Sequence, residues 1–271
     1  MFKFAMLSSG SKGNSFVLVD QDTAIMIDCG TCMRYIKEGL SKINLCVDDL
    51  DAVLITHDHK DHISALKVVA NRPIYAPVQL ENFNHDFVFA DDDFMINQLH
   101  ITPIALSHDA KNTTGYVIDN GFEKLVYITD TGYVKEDYYD LLKGADYIIL
   151  ESNHDVEMLM NTSRPAFLKQ RILGDVGHLN NEDCANILKK IVTKQTKMIV
   201  LAHGSQEANT PRLALDTTMH MLNEFDGDLN KDLYVAVAQD RTLIKGGEYA
   251  REEMDMDVDC CPYILEFVSH D

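Results

Sequence analysis

The stretch Thr56-His57-Asp58-His59-Lys60-Asp61-His62, directly after Ala52-Val53-Leu54-Ile55, constrains this chain more than any other. The apolar, β-branched run predicts a buried strand that delivers its carboxyl end into a polar loop. Three histidines and two aspartates then fall within six residues. Neutral imidazole and carboxylate are ligands for divalent first-row metals. The spacing of His57 and His59 lets both rings reach one ion while Asp61 and His62 turn towards a second. A surface loop with chance histidines does not explain this order behind a buried strand, nor the further histidines at strand ends downstream. The motif reads as a two-metal hydrolytic site.

The rest of the chain can house such a site. With 271 residues and 46% hydrophobic content it can bury a sizeable core, and residues 1–271 are expected to form one α/β domain. No run of eighteen apolar residues occurs, and the amino terminus leads into a Ser/Gly loop and not a signal-peptide cleavage pattern. A cytoplasmic protein without membrane contact is expected, and no stable protein partner is indicated. Six cysteines show no secreted disulfide framework, and Cys29-x-x-Cys32 lacks a thioredoxin-like context, so reduced thiols are expected. The net charge of −19 argues against a general nucleic-acid coat protein. It leaves room for a nuclease, because two divalent ions and a few cations can make an attractive cleft in an acidic shell.

In chain order, residues 2–7 and 15–19 predict a hairpin whose loop, 8–14, is rich in small donors and offers Ser11 and Asn14 to a phosphate. A strand over 23–28 ends at Asp28-Cys29-Gly30, with Thr31 as N-cap of a helix. Asp28 is expected to hold a metal-ligating histidine by a hydrogen bond without itself ligating. A helix is expected over 63–70 and a strand over 73–77. His85, His100 and His220 lack partner patterns and are read as structural, and Asp91-Asp92-Asp93 as a solvated turn.

Strands over 99–106, 125–128, 147–150 and 197–202 then deliver Ser107-His108-Asp109, Thr129-Asp130, Glu151-Ser152-Asn153-His154 and His203-Gly204-Ser205. Asp130 can bridge two cations with its two oxygens. Glu151 can orient a general acid, and His154 can ligate metal or contact substrate. Arg164, Lys169 and Arg171 can receive phosphates. Asn180 or Asn181 caps a helix through Val192, which sets His178 beside its amino terminus. A helix opens at Thr210-Pro211. After an acidic stretch over 248–259, residues 263–268 predict an edge strand.

The His-x-His-x-Asp-His signature resembles the hallmark of the metallo-β-lactamase superfamily. Leu7-Ser8-Ser9-Gly10-Ser11-Lys12-Gly13-Asn14-Ser15, Ser107-His108-Asp109-Ala110, Glu151-Ser152-Asn153-His154-Asp155 and Gly177-His178-Leu179-Asn180-Asn181-Glu182 narrow the resemblance to metallo-hydrolases of the YycJ/WalJ type. The resemblance implies a four-layer αββα sandwich and two divalent ions, zinc or manganese. It implies exonuclease-like hydrolysis with a nucleic acid, DNA before RNA, as substrate. It makes His108 the third ligand of the first metal, with His57 and His59, and leaves His154 as the alternative. His203 completes the second shell of ligands with Asp61, His62 and Asp130. Relatives that process tRNA imply His178 as general acid, paired with Glu151, so Asp61, His178 and Glu151 are the catalytic candidates. Asp58, where diiron oxidoreductase relatives carry Glu, favours hydrolysis. Two rivals stand beside this reading: a small-molecule phosphodiester or thioester hydrolase of the same fold, and a metal-stabilised regulatory protein without turnover.

Overall fold

Period-two alternation of apolar side chains builds the frame, because successive residues of a strand face opposite sides of its sheet. In the computed structural model, which describes residues 1–250 and 265–267, the first half contributes β1 (Phe2–Ser8), β2 (Ser15–Asp20), β3 (Thr23–Ile27), β4 (Ala52–Leu54), β5 (Ile74–Ala76) and β6 (Asp86–Phe87). The second contributes β7 (Phe94–Ile96), β8 (Leu99–Ala105), β9 (Thr114–Asp119), β10 (Lys124–Ile128), β11 (Tyr147–Glu151), β12 (Met198–Ala202), β13 (Tyr234–Val237), β14 (Ile244–Gly247) and β15 (Leu265–Phe267). One sheet runs β14-β1-β2-β3-β4-β5-β6 and the other β15-β13-β12-β11-β10-β9-β8-β7. Strand β14 thus returns from the second half to close the first sheet against β1. The expected edge strand is present as β15, while residues 251–259 of the acidic stretch lie outside the described residues.

Leu125, Tyr127, Tyr147, Ile149, Met198 and Val200 face Phe4, Met6, Phe16 and Leu18 of the other sheet in one central core. Their neighbours Val126, Ile128, Ile148, Leu150, Ile199 and Leu201 point outward under α6 (Asn181–Ile191) and α7 (Pro211–Asn223). On the other flank Ala5, Leu7, Val17 and Met26 pack under α1 (Met33–Lys42) through Ile36 and Leu40. Helix, sheet, sheet, helix: the four-layer αββα architecture expected of the chain is the one observed. Among the described residues no helix is long and apolar enough to cross a membrane.

Two local expectations fail for identifiable reasons. Thr31 does not cap α1: it sits at φ +73, and Cys32 takes the N-cap position without a side-chain bond. The helix expected over 63–70 is instead a single turn, α2 (Lys60–Ile63), followed by a 3₁₀ turn at Leu66–Val69. The cause is competition for backbone partners. The Asp61 carbonyl accepts from the Asn14 amide (2.7 Å), the His62 carbonyl from the Cys29 amide (2.7 Å), and the Ala65 amide turns to the Cys29 carbonyl (2.9 Å). Helical hydrogen bonds are replaced by bonds that tie three loops together behind the histidine motif.

Candidate metal centre

The parallel strands β3, β4 and β5 of one sheet and β10 to β13 of the other end at the same edge of the sandwich, and their carboxyl ends carry the chemistry. Three of the residues that follow a strand there, Asp28 (φ +58), Asp130 (φ +60) and His203 (φ +54), adopt the left-handed conformation. For a residue other than glycine this conformation costs on the order of 1 kcal/mol or more and is held by its surroundings. It turns each side chain sharply off its strand into the space between the sheets.

There the histidines converge. His57, His59 and His108 form one group with a ligand atom of each within 4.8 Å of the others; Asp61, His62 and His203 form a second. Asp130 lies between them: Oδ2 is 3.1 Å from His62 Nε2, and Oδ1 is 3.4 Å from His203 Nδ1 and 3.8 Å from His108 Nε2. The residues expected at the two metals are thus brought together, with Asp130 between the two groups.

In four of these histidines one ring nitrogen is held by the protein, which leaves the other for the centre. His62 Nδ1 is 2.7 Å from Asp28 Oδ2, His57 Nδ1 is 3.0 Å from Thr56 Oγ1, His108 Nδ1 donates to the Gly177 carbonyl at 3.1 Å, and His203 Nδ1 is 2.9 Å from Glu151 Oε1. Such outer hydrogen bonds fix tautomer and orientation in metal sites. Asp28 is itself fixed by the Thr56 amide and hydroxyl. Asp28 thus lies behind His62, hydrogen-bonded to its Nδ1.

The fit to metal rests on what remains unsatisfied. His57 Nε2 and His203 Nε2 are buried without a hydrogen-bond partner among the described residues, and buried Asp130 Oδ2 has only His62 Nε2 beside it, at 3.1 Å. Buried polar atoms rarely go unpaired, and these three face a donor set of imidazole and carboxylate suited to a divalent ion. Electrostatics agrees. Burial drives the His57 imidazole far below its usual value, aided by the neighbouring His62. Burial opposes charge on Asp130, but His203 and His62 outweigh it and hold that carboxyl well below the carboxylate range.

A second constellation abuts the first. Glu151, fully buried, presents Oε1 to His178 Nδ1 at 2.7 Å as well as to His203, and its Oε2 accepts from the Thr131 amide at 2.9 Å. Burial works against its ionisation, yet His178 and His203 outweigh it and bring the carboxyl down to about 2. His178 keeps some solvent contact and follows Gly177, whose position admits no side chain because a Cβ would collide with the Ile172 and Arg171 carbonyls. The Asn180 side chain accepts from the Asp183 amide, so it is the N-cap of α6 that fixes the turn after His178.

The remaining sequence candidates lie as follows. His154 joins none of the ligand groups found among the described residues. Its Nδ1 is 3.3 Å from Asn153 Oδ1, and burial lowers its pKa to about 4, so it is a neutral interior group. Asn14 is buried, accepts from the Gly10 amide at 2.8 Å and sets Nδ2 3.0 Å from His62 Nε2, whereas Ser11 is exposed on the same loop. Two of the three cations expected to meet phosphate are engaged elsewhere. Arg164 pairs with Glu207 at 2.9 Å, and Lys169 donates to the Met160 and Thr162 carbonyls, linking α4 (Val156–Asn161) to α5 (Ala166–Leu173). Arg171 does reach the centre, through an ion pair with Asp109. Asp109 Oδ1 is in turn 3.1 Å from His108 Nε2 and 3.7 Å from His59 Nε2. Sequence reading gave Asp109 no role, although its place directly after His108 was the available signal.

Comparison with known proteins agrees with this geometry. The family described as "Beta-lactamase superfamily domain" matches residues 23–203. Exodeoxyribonuclease YycJ of Bacillus anthracis is 34% identical, over 82% of this chain and 89% of its own length. Exodeoxyribonuclease WalJ of Streptococcus pneumoniae is 36% identical, over 86% of this chain and 93% of its own. Among solved structures, the metallo-β-lactamase fold protein YhfI of Bacillus subtilis superposes with a TM-score of 0.67 at 17% identity, covering 90% of this chain and 99% of that one. The chain belongs to the metallo-β-lactamase superfamily.

Proposed function

We propose that this member of the metallo-β-lactamase superfamily is a metal-dependent phosphodiesterase that removes nucleotides from DNA. The relatives named exodeoxyribonucleases support the substrate class. The observation that carries the reading is the Glu151 carboxylate shared by His178 and His203, which joins a proton-handling histidine to the ligand cluster. Ligands come from both sheets, which supports one hydrolase unit over 1–271.

The residues fit two divalent ions: His57, His59 and His108 would hold one and Asp61, His62 and His203 the other, with the Asp130 carboxylate beside His62, His203 and His108. Zinc and manganese both suit this donor set. When bound, such ions supply Lewis acidity at phosphorus and activation of water. The protein's own part is proton transfer and positioning. His178, oriented through Nδ1 by Glu151, carries a proton on Nε2 and passes it to the leaving oxygen as the bond from that oxygen to phosphorus breaks and one from water forms. Arg171, poised beside Asp109, offers its guanidinium to a phosphate of the strand. Local cations of this kind act within a chain of net charge −19. The free, buried thiols of Cys29 and Cys184 support a reducing, cytoplasmic setting.

The test is cleavage of end-labelled single- and double-stranded DNA and RNA by metal-stripped protein reloaded separately with Mn²⁺ and Zn²⁺, beside a small phosphodiester. Stepwise loss from one end of DNA, absent in Asp61→Ala, is the expected result. Turnover of the small diester with none on DNA would replace this reading with a small-molecule phosphodiesterase.

A further inference from the structure

Beside the candidate metal centre a cavity of about 350 Å³ opens at the carboxyl ends of β11, β12 and β13, against the first turn of α7. Glu151 and His203 end their strands towards the metal centre, and the residues that follow them, Ser152 and Gly204, form the cavity wall. The two spaces are therefore next to each other. In parallel sheets the crevice beyond the carboxyl ends of the strands is where ligands bind.

The lining selects what can enter. Leu201, Pro211, Ala214 and Val237 supply an apolar floor. Asp240 brings a carboxylate to the lining, facing Lys12 Nζ at 3.8 Å and Ser8 Oγ at 3.4 Å, so the charge there is balanced and favours a neutral group over a phosphate. The amino terminus of α7 is no anion trap either, since Pro211 brings no amide proton and the Leu213 amide is taken by Thr210 Oγ1 at 3.1 Å. Gln206 and Gln239 stand at the cavity with side-chain amides that have no hydrogen-bond partner among the described residues. Each can donate and accept at once. The wall is rigid: Ser152 Oγ donates to Asn181 Oδ1 at 2.7 Å, and Asn209 Nδ2 to the Ser152 carbonyl at 3.0 Å.

An uncharged, planar group with an apolar face and a donor–acceptor edge meets all of these conditions, and a nucleobase is such a group. We propose that this cavity is a nucleobase subsite, taking the base of a nucleotide beside the phosphodiester to be cut. The proposal rests on the phosphodiesterase reading and extends it by giving the base a place and naming Gln206 and Gln239 as the residues that read its edge.

The experiment is calorimetric titration of the metal-loaded full chain with 2′-deoxyadenosine 5′-monophosphate and, separately, with 2-deoxyribose 5-phosphate, which lacks the base. The nucleotide should bind roughly tenfold or more tightly, as two neutral hydrogen bonds and base burial allow. The double variant Gln206→Ala/Gln239→Ala, altered at one exposed and one half-buried position, should lose most of that advantage. Equal affinities for the two ligands in the unaltered protein, or an undiminished advantage in the variant, would overturn the subsite. Base-dependent binding in a protein that leaves DNA uncut would keep the subsite and remove the nuclease reading. Trimming of DNA without base-dependent binding would do the reverse.

Discussion

His178 Nδ1 and Glu151 Oε1 stand 2.7 Å apart, and the same oxygen is 2.9 Å from His203 Nδ1. One buried carboxylate thus orients both the proposed general acid, His178, and a candidate metal ligand, His203. The two functions separate on mutation. His178→Ala should slow turnover roughly 10²- to 10⁴-fold, the range for loss of a general acid, with metal content intact. Glu151→Gln should lower both, because His203 loses its anchor. Metal analysis beside single-turnover cleavage checks this; loss of metal from the His178 variant would make that residue a ligand.

Asp28 tests the support of the candidate ligands without being one of them. Its carboxylate holds His62 Nδ1 at 2.7 Å and accepts from the Thr56 amide at 2.9 Å. Asparagine keeps the size and tolerates the left-handed backbone at φ +58. Asp28→Asn should therefore fold and yet bind metal about 10- to 100-fold more weakly. Competition with a chromophoric chelator measures it, and an unchanged affinity would deny the carboxylate this role.

Tyr116 joins the two sheets behind the histidine motif. Its hydroxyl, wholly buried, donates to the Ile55 carbonyl at 2.6 Å, one residue before Thr56. Tyr116→Phe leaves that carbonyl unpaired and should cost about 1–3 kcal/mol of stability. Urea denaturation of the metal-free protein reads the change directly.

These relationships differ in how far sequence reveals them. Apolar runs such as Leu125-Val126-Tyr127-Ile128 announce buried strands, so Asp130 and His203 are recognisable as strand-end residues, whereas the four layers follow from the family resemblance of the histidine motif and not from periodicity. What escapes is set by contacts between distant segments. The break after Ile63 depends on amides of Asn14 and Cys29, which local helix propensity does not register. Arg164 and Lys169 look like phosphate contacts because their charge is visible and their partners, Glu207 and the α4 carbonyls, are not. Left-handed backbone at Asp28, Asp130 and His203 is not legible in the sequence: aspartate and histidine are enriched in that region, yet few of them adopt it, and here the surrounding sheets impose it.

Glu123 sets a pH dependence away from the centre. It accepts from the Phe2 amide and from Lys197 Nζ and Tyr147 Oη. Burial opposes its charge, but these partners prevail and hold the carboxyl below its ordinary value of 4.5. The folded state then takes up a proton less readily than the unfolded chain. The resulting stability is present above pH of about 4.5 and is lost as pH falls through the lower folded value. Glu123→Gln should be less stable than the unaltered protein at neutral pH, with the gap closing in acid. Denaturation curves at several pH values, with and without the substitution, isolate this residue from other carboxylates.

Gly30 is the narrowest point of the loop scaffold. Its amide donates to the Asn14 carbonyl at 2.8 Å, and a Cβ there would collide with the Asp61 carbonyl oxygen. That oxygen belongs to backbone and cannot swing aside as a side chain would. Gly30→Ala must therefore push apart the loop that carries Asp61 and His62 and the loop that carries Asn14. The second group of ligands, Asp61, His62 and His203, should suffer while His57, His59 and His108, anchored by Thr56 and Gly177, are spared. The expected outcome is a folded protein that retains about half the metal of the unaltered chain and loses activity. Metal stoichiometry with circular dichroism tests it; full metal content with full activity would show that the loops adapt and that Gly30 is not what holds them in register.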